Sequence, residues 1–242
     1  MEKQNSMEGR VALITGASRG IGAAVARHFA SLGAHVVLVA RTVGALEEVD
    51  DEIKKNGNGA ATLVPLDLLD IDKIDQLALR IAERFTRLDI MVGNAAMLGG
   101  LRPATDIPNE IWDNVIRLNL TANWRLLRAC HPLLLASEAG RAIFVTSAAA
   151  SAGMPFWGAY SASKAGLEAI VKAYASENMK TNIRANLIDP GIIRTSMRAE
   201  AYPGEDPKMH PEPEAVVGMF EQLAGYELVN NGQVIRAHQQ VF

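Results

Sequence analysis

Val11-Ala12-Leu13-Ile14-Thr15-Gly16-Ala17-Ser18-Arg19-Gly20-Ile21-Gly22 is the stretch on which the fold of this chain turns. An apolar run leads into a turn rich in glycine, and a helical pattern follows from Ala23. A strand, a Gly-rich turn and a helix N-terminus together make an anion site. Glycine lets the backbone approach a phosphate, and the first helical N–H groups carry a partial positive charge. The spacing is Gly-x-x-x-Gly-x-Gly, not the Gly-x-Gly-x-x-Gly of the common dinucleotide fingerprint.

Outward from this stretch, short β-rich runs alternate with longer helical patterns. The runs are 11–15, 35–40, 61–65, 90–93, 142–147, 183–188 and 233–236. Several are apolar throughout, as parallel strands covered on both faces are. Helical patterns lie near 21–32, 44–56, 70–86, 109–136, 161–178 and 213–226, with Gly33 and Gly57 at C-cap positions. Strand and helix in alternation predict a doubly wound α/β fold with right-handed crossovers and a seven-stranded, mostly parallel sheet. Residues 1–9 read as a flexible arm and 10–242 as one domain. One segment breaks the rhythm: 196–214 carries Pro203, Pro207, Pro211 and Pro213. It is too proline-rich for a continuous helix and reads as a substrate lid, or else as a plain surface loop.

Composition narrows the function. The 242 residues are 49% hydrophobic and 21% charged, with a formal net charge of −3, so a nucleic-acid partner is not indicated. No apolar run reaches transmembrane length, no membrane partner is expected, and the compartment expected is the cytoplasm. The single cysteine, Cys130, excludes an intrachain disulfide and reads as a buried small hydrophobe. The five histidines are scattered without paired ligand spacing, so no metal is expected.

Tyr160-Ser161-Ala162-Ser163-Lys164 opens a predicted helix. Positions i and i+4 share a helix face, so phenol and ammonium can converge, and the lysine is expected to lower the phenol pKa. Ser147 ends a predicted strand, and Asn94-Ala95, Asp67 and Pro190-Gly191 each follow one, where the ligand crevice of a doubly wound sheet opens.

With these in place, the chain is similar to the short-chain dehydrogenase/reductase family in its compact single-domain form. The likeness runs from Arg10 to about Arg236. It implies a Rossmann-like, three-layer α/β/α fold and a hydride transfer that interconverts a carbonyl and a secondary alcohol. It implies a catalytic set of Asn119, Ser147, Tyr160 and Lys164. Tyr160 would be the general acid/base, Lys164 its pKa partner and a ribose ligand, Ser147 the holder of the substrate oxygen, and Asn119 the anchor of a proton-relay water. Cofactor contacts implied by the same likeness are Gly16, Ser18, Arg19, Gly20, Ile21, Gly22, Asp67, Leu68, Asn94, Ala95, Ala96, Tyr160, Lys164, Pro190, Gly191, Ile193 and Thr195. Ala96 stands where the family has glycine. The second predicted strand ends at Ala40 without the acid that holds an NAD ribose; Arg41 follows it, and with Arg19 it could pair with a 2′-phosphate. NADP(H) is therefore read over NAD(H). Met97, Ala149, Met154 and Trp157 are the expected substrate contacts, with a mostly apolar carbonyl compound as substrate. Similarity extends to 3-oxoacyl-thioester reductases, and a homo-oligomer, tetramer or dimer, is implied. The alternative of a non-catalytic dinucleotide-binding sensor or scaffold would not need the serine and the tyrosine.

Overall fold

The computed structural model describes residues 6–57 and 59–237. Seven strands form one sheet in the order β3-β2-β1-β4-β5-β6-β7. They are β1 (Val11–Thr15), β2 (His35–Ala40), β3 (Ala60–Pro65), β4 (Ile90–Gly93), β5 (Arg141–Val145), β6 (Arg184–Asp189) and β7 (Val234–Arg236). All six pairings are parallel, so the sheet among the described residues is wholly parallel rather than mostly so. Parallel strands need crossovers that cover both faces, which is why β1, β4 and β5 are buried at every position.

One face is covered by α3 (Ile71–Phe85), α5 (Ala122–Leu135) and α6 (Gly158–Glu177), the other by α1 (Gly20–Ser31), α2 (Val43–Asn56) and α8 (Val217–Ala224). The helices earn these places by spacing: Ile74, Leu77, Ala78 and Ile81 make one buried stripe on α3, and Leu46, Val49 and Ile53 make one on α2. Sheet order reverses direction between β1 and β4, which opens the crevice at their C-terminal ends.

Four expectations change. Residues 109–136 are not one regular helix. They form α4 (Asn109–Ile116), a wider π-type turn at Arg117–Thr121, then α5. The proline-rich segment begins with a short helix, α7 (Ser196–Ala201), before turning irregular. Residues 213–226 divide into a 3-10 turn at Pro213–Val216 followed by α8. The flexible arm does not extend to Met7, which is 2% exposed, packs in the core of the α1 face and donates its N–H to Leu32 O at 2.9 Å. Residues 1–5 of that arm lie outside the described residues, as do those from His238 onward.

Candidate active site

The Gly-rich turn is held from below by β4. Asn94 Nδ2 donates to Thr15 O at 2.9 Å and Gly16 O at 3.3 Å. Thr15 Oγ1 in turn accepts from Asn94 N and Ala95 N. Gly16 has φ 65°, and a Cβ there would lie 2.8 Å from Asn94 Nδ2. A Cβ on Gly22 would meet Gly16 O at 2.2 Å, so no other residue fits where α1 starts against the turn. Gly20, at φ 56°, has only Thr195 within reach, its Cγ2 at 3.5 Å. Asn94 thus acts on the turn rather than projecting from it. Ala96 is not among the described positions with positive φ, so its methyl strains no backbone.

Around the turn, a cavity of about 500 Å³ is lined by Ser18, Arg19, Gly20 and Thr195 with Arg27 and Glu52. Arg19 and Arg41 are exposed. Arg27 is tied to Glu52 and Glu214, and Arg194 to Glu212, whereas among the described residues Arg19 and Arg41 hold no ion pair. Asp67 is exposed after β3 and accepts from Leu69 N at 3.0 Å, while Leu68 is buried. Gly191 has φ 68°, and its N–H donates to Asp189 Oδ1 at 3.1 Å. Ile193 is buried, and Thr195 caps α7 by accepting from Arg198 N.

Past the crevice, α6 buries Tyr160, Ser163 and Lys164 on one face. Lys164, 1% exposed, donates its Nζ to Val145 O at 2.7 Å and sits 5.6 Å from the Tyr160 ring centroid. Ser147 lies two residues beyond β5, where it caps the turn Ala148–Ala150 by accepting from Ala149 N at 3.3 Å. Asn119, fully buried in the π-type turn, accepts from Met97 N and donates to Met97 O, each at 2.9 Å, and donates to Ser163 Oγ at 3.0 Å. Ser163 Oγ donates to Tyr160 O at 2.7 Å. Asn119 therefore fixes the β4 loop to α6, a contact for which the sequence offered Ser163 no signal. A π-type turn at this place widens the backbone where Asn119 must reach both partners.

Electrostatically, burial pushes the Tyr160 phenol up to about 12; the Ser147 hydroxyl pulls it back and Asp189 raises it further. Burial pushes Lys164 down to about 8. Both groups are driven toward their neutral forms. That is opposite to the lowering expected from i and i+4: burial sets the direction, and the Lys164 ammonium is bonded to Val145 O. A neutral phenol is a proton donor. Asp189, 6% exposed, was not singled out from sequence, since a carboxylate before Pro-Gly reads as a turn residue.

Next to Tyr160 lies a small apolar cluster with Leu98, Ala149 and Ala201, packed against Leu101, Met154, Trp157, Met197 and Tyr202. Ala149, Met154 and Trp157, three of the expected substrate contacts, belong to this cluster. The main-chain N–H and O of Met97, the fourth expected contact, are bonded to Asn119, and its neighbour Leu98 is buried in the cluster. Among the described residues no group of three or more His, Cys, Asp or Glu is placed to hold a metal ion. No described helix is long and apolar enough to cross a membrane.

Residues 10–206 match the model of the short chain dehydrogenase family. The chain belongs to the short-chain dehydrogenase/reductase family. It is an oxidoreductase of the NAD(P)-dependent dehydrogenase/reductase type. Among its relatives in the family is the uncharacterized oxidoreductase YciK of Escherichia coli K12, 37% identical over 225 residues that cover 92% of this chain and 89% of the relative. A 3-oxoacyl-[acyl-carrier-protein] reductase of Synechocystis is 35% identical over 91% of this chain and 88% of its own. A short-chain dehydrogenase structure from Escherichia coli CFT073, complexed with NADPH, superposes with a TM-score of 0.92 at 36% identity, covering 98% of this chain and 100% of that one.

Proposed function

We propose that this short-chain dehydrogenase/reductase interconverts a carbonyl and a secondary alcohol with NADP(H), and that Tyr160 is its general acid in the reducing direction. The observation that carries this reading is the burial of Tyr160 beside Ser147 and Lys164 at the C-terminal ends of β5 and β6, where desolvation disfavours the phenolate. When bound, the nicotinamide supplies the hydride. Tyr160 Oη donates a proton to the substrate oxygen, and the Ser147 hydroxyl holds that oxygen and fixes its approach. Lys164 favours the phenolate once Tyr160 has given up its proton, and binds the ribose. Asn119 keeps the helix start at the depth this requires through Met97 and Ser163, and anchors the water of the proton relay.

The chain fits the cofactor it is proposed to hold. Gly16, Gly20 and Gly22 leave backbone where side chains would stand, at the N-terminus of α1 where an anion is favoured. Arg19 and Arg41, exposed and free of carboxylate partners among the described residues, suit a 2′-phosphate. Asp67 and Leu68 would meet the adenine. Ala95, Ala96, Pro190, Gly191, Ile193 and Thr195 would line the remainder, with Ile193 and Thr195 on the carboxamide. Ser18 and Ile21 complete the turn. Asn94 contributes by holding it. The NADPH complex of the E. coli relative supports the preference for the phosphorylated cofactor.

The 3-oxoacyl-[acyl-carrier-protein] reductase among the relatives supports a second reading, in which the carbonyl is part of a 3-oxoacyl thioester. A panel of ketones, aldehydes and 3-oxoacyl thioesters, assayed with NADPH and NADH by nicotinamide absorbance, separates the two. Turnover of any panel member that survives Tyr160→Phe at the wild-type rate refutes the mechanism. Binding of NADPH with no turnover across the panel favours the sensor or scaffold reading. Arg41→Ala is expected to lower the NADPH-over-NADH affinity ratio by about tenfold, the worth of one charge-assisted phosphate contact; an unchanged ratio removes Arg41 from the 2′-phosphate site.

A further inference from the structure

The lid is held by charge. Arg198 on α7 donates Nε to Glu205 Oε2 at 2.7 Å and Nη2 to Glu205 Oε1 at 2.5 Å, a bidentate pair. His210 Nε2 lies 2.9 Å from the same Oε2. The stem is fixed separately by Arg194, which donates its backbone N to Pro211 O and its Nε to Pro207 O and pairs with Glu212. The clasp reaches the apolar cluster beside Tyr160 through Tyr202. The Arg198 guanidinium covers the Tyr202 ring at 3.9 Å from its centroid. Tyr202 meets Trp157 at 6.2 Å between centroids, and Trp157 meets Tyr160 edge-on at 5.6 Å. A continuous line of contacts thus runs from His210 to the proposed proton donor.

Little else positions Tyr202. α7 has six residues, and the chain beyond it is interrupted by Pro203, Pro207 and Pro211, so the helix cannot continue to brace the ring. Only Met197, Ala201 and Tyr202 of the lid join the apolar cluster. That cluster is bordered by two cations, Arg198 over the Tyr202 ring and Lys164 beside the Tyr160 ring. Its aromatic side is made by Trp157 and Tyr202, with Phe156 beside Trp157 in the chain, 55% exposed and held at φ 71°. Left-handed backbone at a non-glycine residue is strained and persists where surrounding structure imposes it.

We propose that Tyr202, clasped by Arg198, Glu205 and His210, is the specificity-determining wall of the pocket. It selects a carbonyl borne next to a flat apolar group, such as an aryl or conjugated ketone or aldehyde. Tyr202 is the contact residue, and Glu205 positions it. The proposal rests on the reading of Tyr160 as proton donor, because it takes the reacting carbonyl to lie at that residue.

The test starts from Trp112→Phe/Trp124→Phe, which leaves Trp157 as the sole tryptophan. Acrylamide quenching of Trp157 and its emission change on adding acetophenone or 2-butanone, with the oxidised cofactor NADP+ present so that no hydride can pass to the ketone, are read for four lids: native, Glu205→Gln, Tyr202→Leu and Tyr202→Phe. Glu205→Gln is expected to increase quenching and to weaken acetophenone binding roughly three- to tenfold, the range for losing one partly exposed bidentate pair. Tyr202→Leu is expected to weaken acetophenone by about tenfold and 2-butanone by less than about twofold, with Tyr202→Phe restoring the native value. NADPH affinity, unchanged in all four, reports intact folding. The proposal is overturned if Glu205→Gln leaves quenching unaltered, if Tyr202→Leu weakens both ketones equally, or if the native lid binds neither. None of these readouts uses turnover, so they stand apart from the Tyr160→Phe result that decides the mechanism.

Discussion

The two ends of the sheet both bury ionisable side chains, and they treat them in opposite ways. At the N-terminal ends, Asp89 accepts from Val11 N at 2.8 Å, from Ser137 Oγ at 2.5 Å and from Arg87 Nε at 3.1 Å. Arg141, 3% exposed, donates to the carbonyls of Gly140, Asn182, Gly225 and Tyr226, and Arg10 donates to those of Ala139 and Ala224. These two arginines satisfy the last carbonyls of α8 and the chain leaving it. At the C-terminal ends, Lys164 has one such bond, to Val145 O, and Tyr160 has only the Ser147 hydroxyl facing it. A buried charge whose donors and acceptors are nearly all spent inside the protein is a fastening. One left with capacity is chemistry in waiting, at a cost in stability. Substitutions at the two ends should therefore separate activity from stability.

The largest effect is expected at the C-terminal end. Tyr160→Phe should lower kcat by about 10²- to 10⁴-fold, the range for losing a general acid, while the melting temperature moves by less than about 2 °C. At the opposite end the pattern inverts. Asp89→Ala strands Arg87, Ser137 and the Val11 N–H, and should cost about 3–5 kcal/mol, read as a melting temperature lower by roughly 10 °C, with kcat of the remaining folded enzyme unchanged. If Asp89→Ala instead lowers kcat in the folded protein, the division between the ends fails.

How much of this division the sequence disclosed differs between elements. The strands were legible because parallel strands between two helical layers must be largely apolar, and residues 11–14 of β1 and Ile90–Gly93 carry that pattern. The glycine turn was legible because Gly16 and Gly22 have no substitutes at 2.8 and 2.2 Å from their neighbours. The π-type turn at Arg117–Thr121 was not, since its residues keep ordinary helical periodicity and only the demands of Asn119 on Met97 and Ser163 widen it. Tyr202 escaped notice because a proline-rich loop has no period to place its side chains. The direction of the Tyr160 shift depends on depth of burial, which i and i+4 spacing does not report.

Lys164 tests both halves of the comparison in one residue. Burial lowers its pKa from 10.5 to about 8, so holding it charged near pH 7 costs roughly 3 kcal/mol of stability. Between pH 8 and 10.5 the unfolded chain holds a proton that the folded chain has released, so native stability rises with pH across that window and is lower below it. Lys164→Met should remove this rise and be the more stable protein at pH 7, while turnover falls. Calorimetric melting at pH 7 and pH 9.5 checks it; a destabilised variant at pH 7 would place Lys164 among the fastenings.

Asp189 offers the finest distinction, because it stands at the C-terminal end yet is bonded like a fastening. Its Oδ1 accepts from Gly191 N, its main-chain O accepts from Ala237 N, and Arg236 Nε is 3.9 Å from Oδ2. Its charge nonetheless raises Tyr160 in the same direction as burial does. Asp189→Asn keeps an acceptor for Gly191 and deletes the charge, so the Tyr160 pKa should fall. In the reducing direction a protonated phenol is required, and activity is lost as pH rises through that pKa. The alkaline limb of kcat should therefore move to lower pH in Asp189→Asn, with little change on the plateau. In the oxidising direction, which needs the phenolate, the rising limb should move the same way, so the variant gains on the native enzyme below it. A fastening alone would shift neither limb; two limbs moving together to lower pH identify Asp189 as a charge that sets the proton affinity of Tyr160 from within the loop it holds.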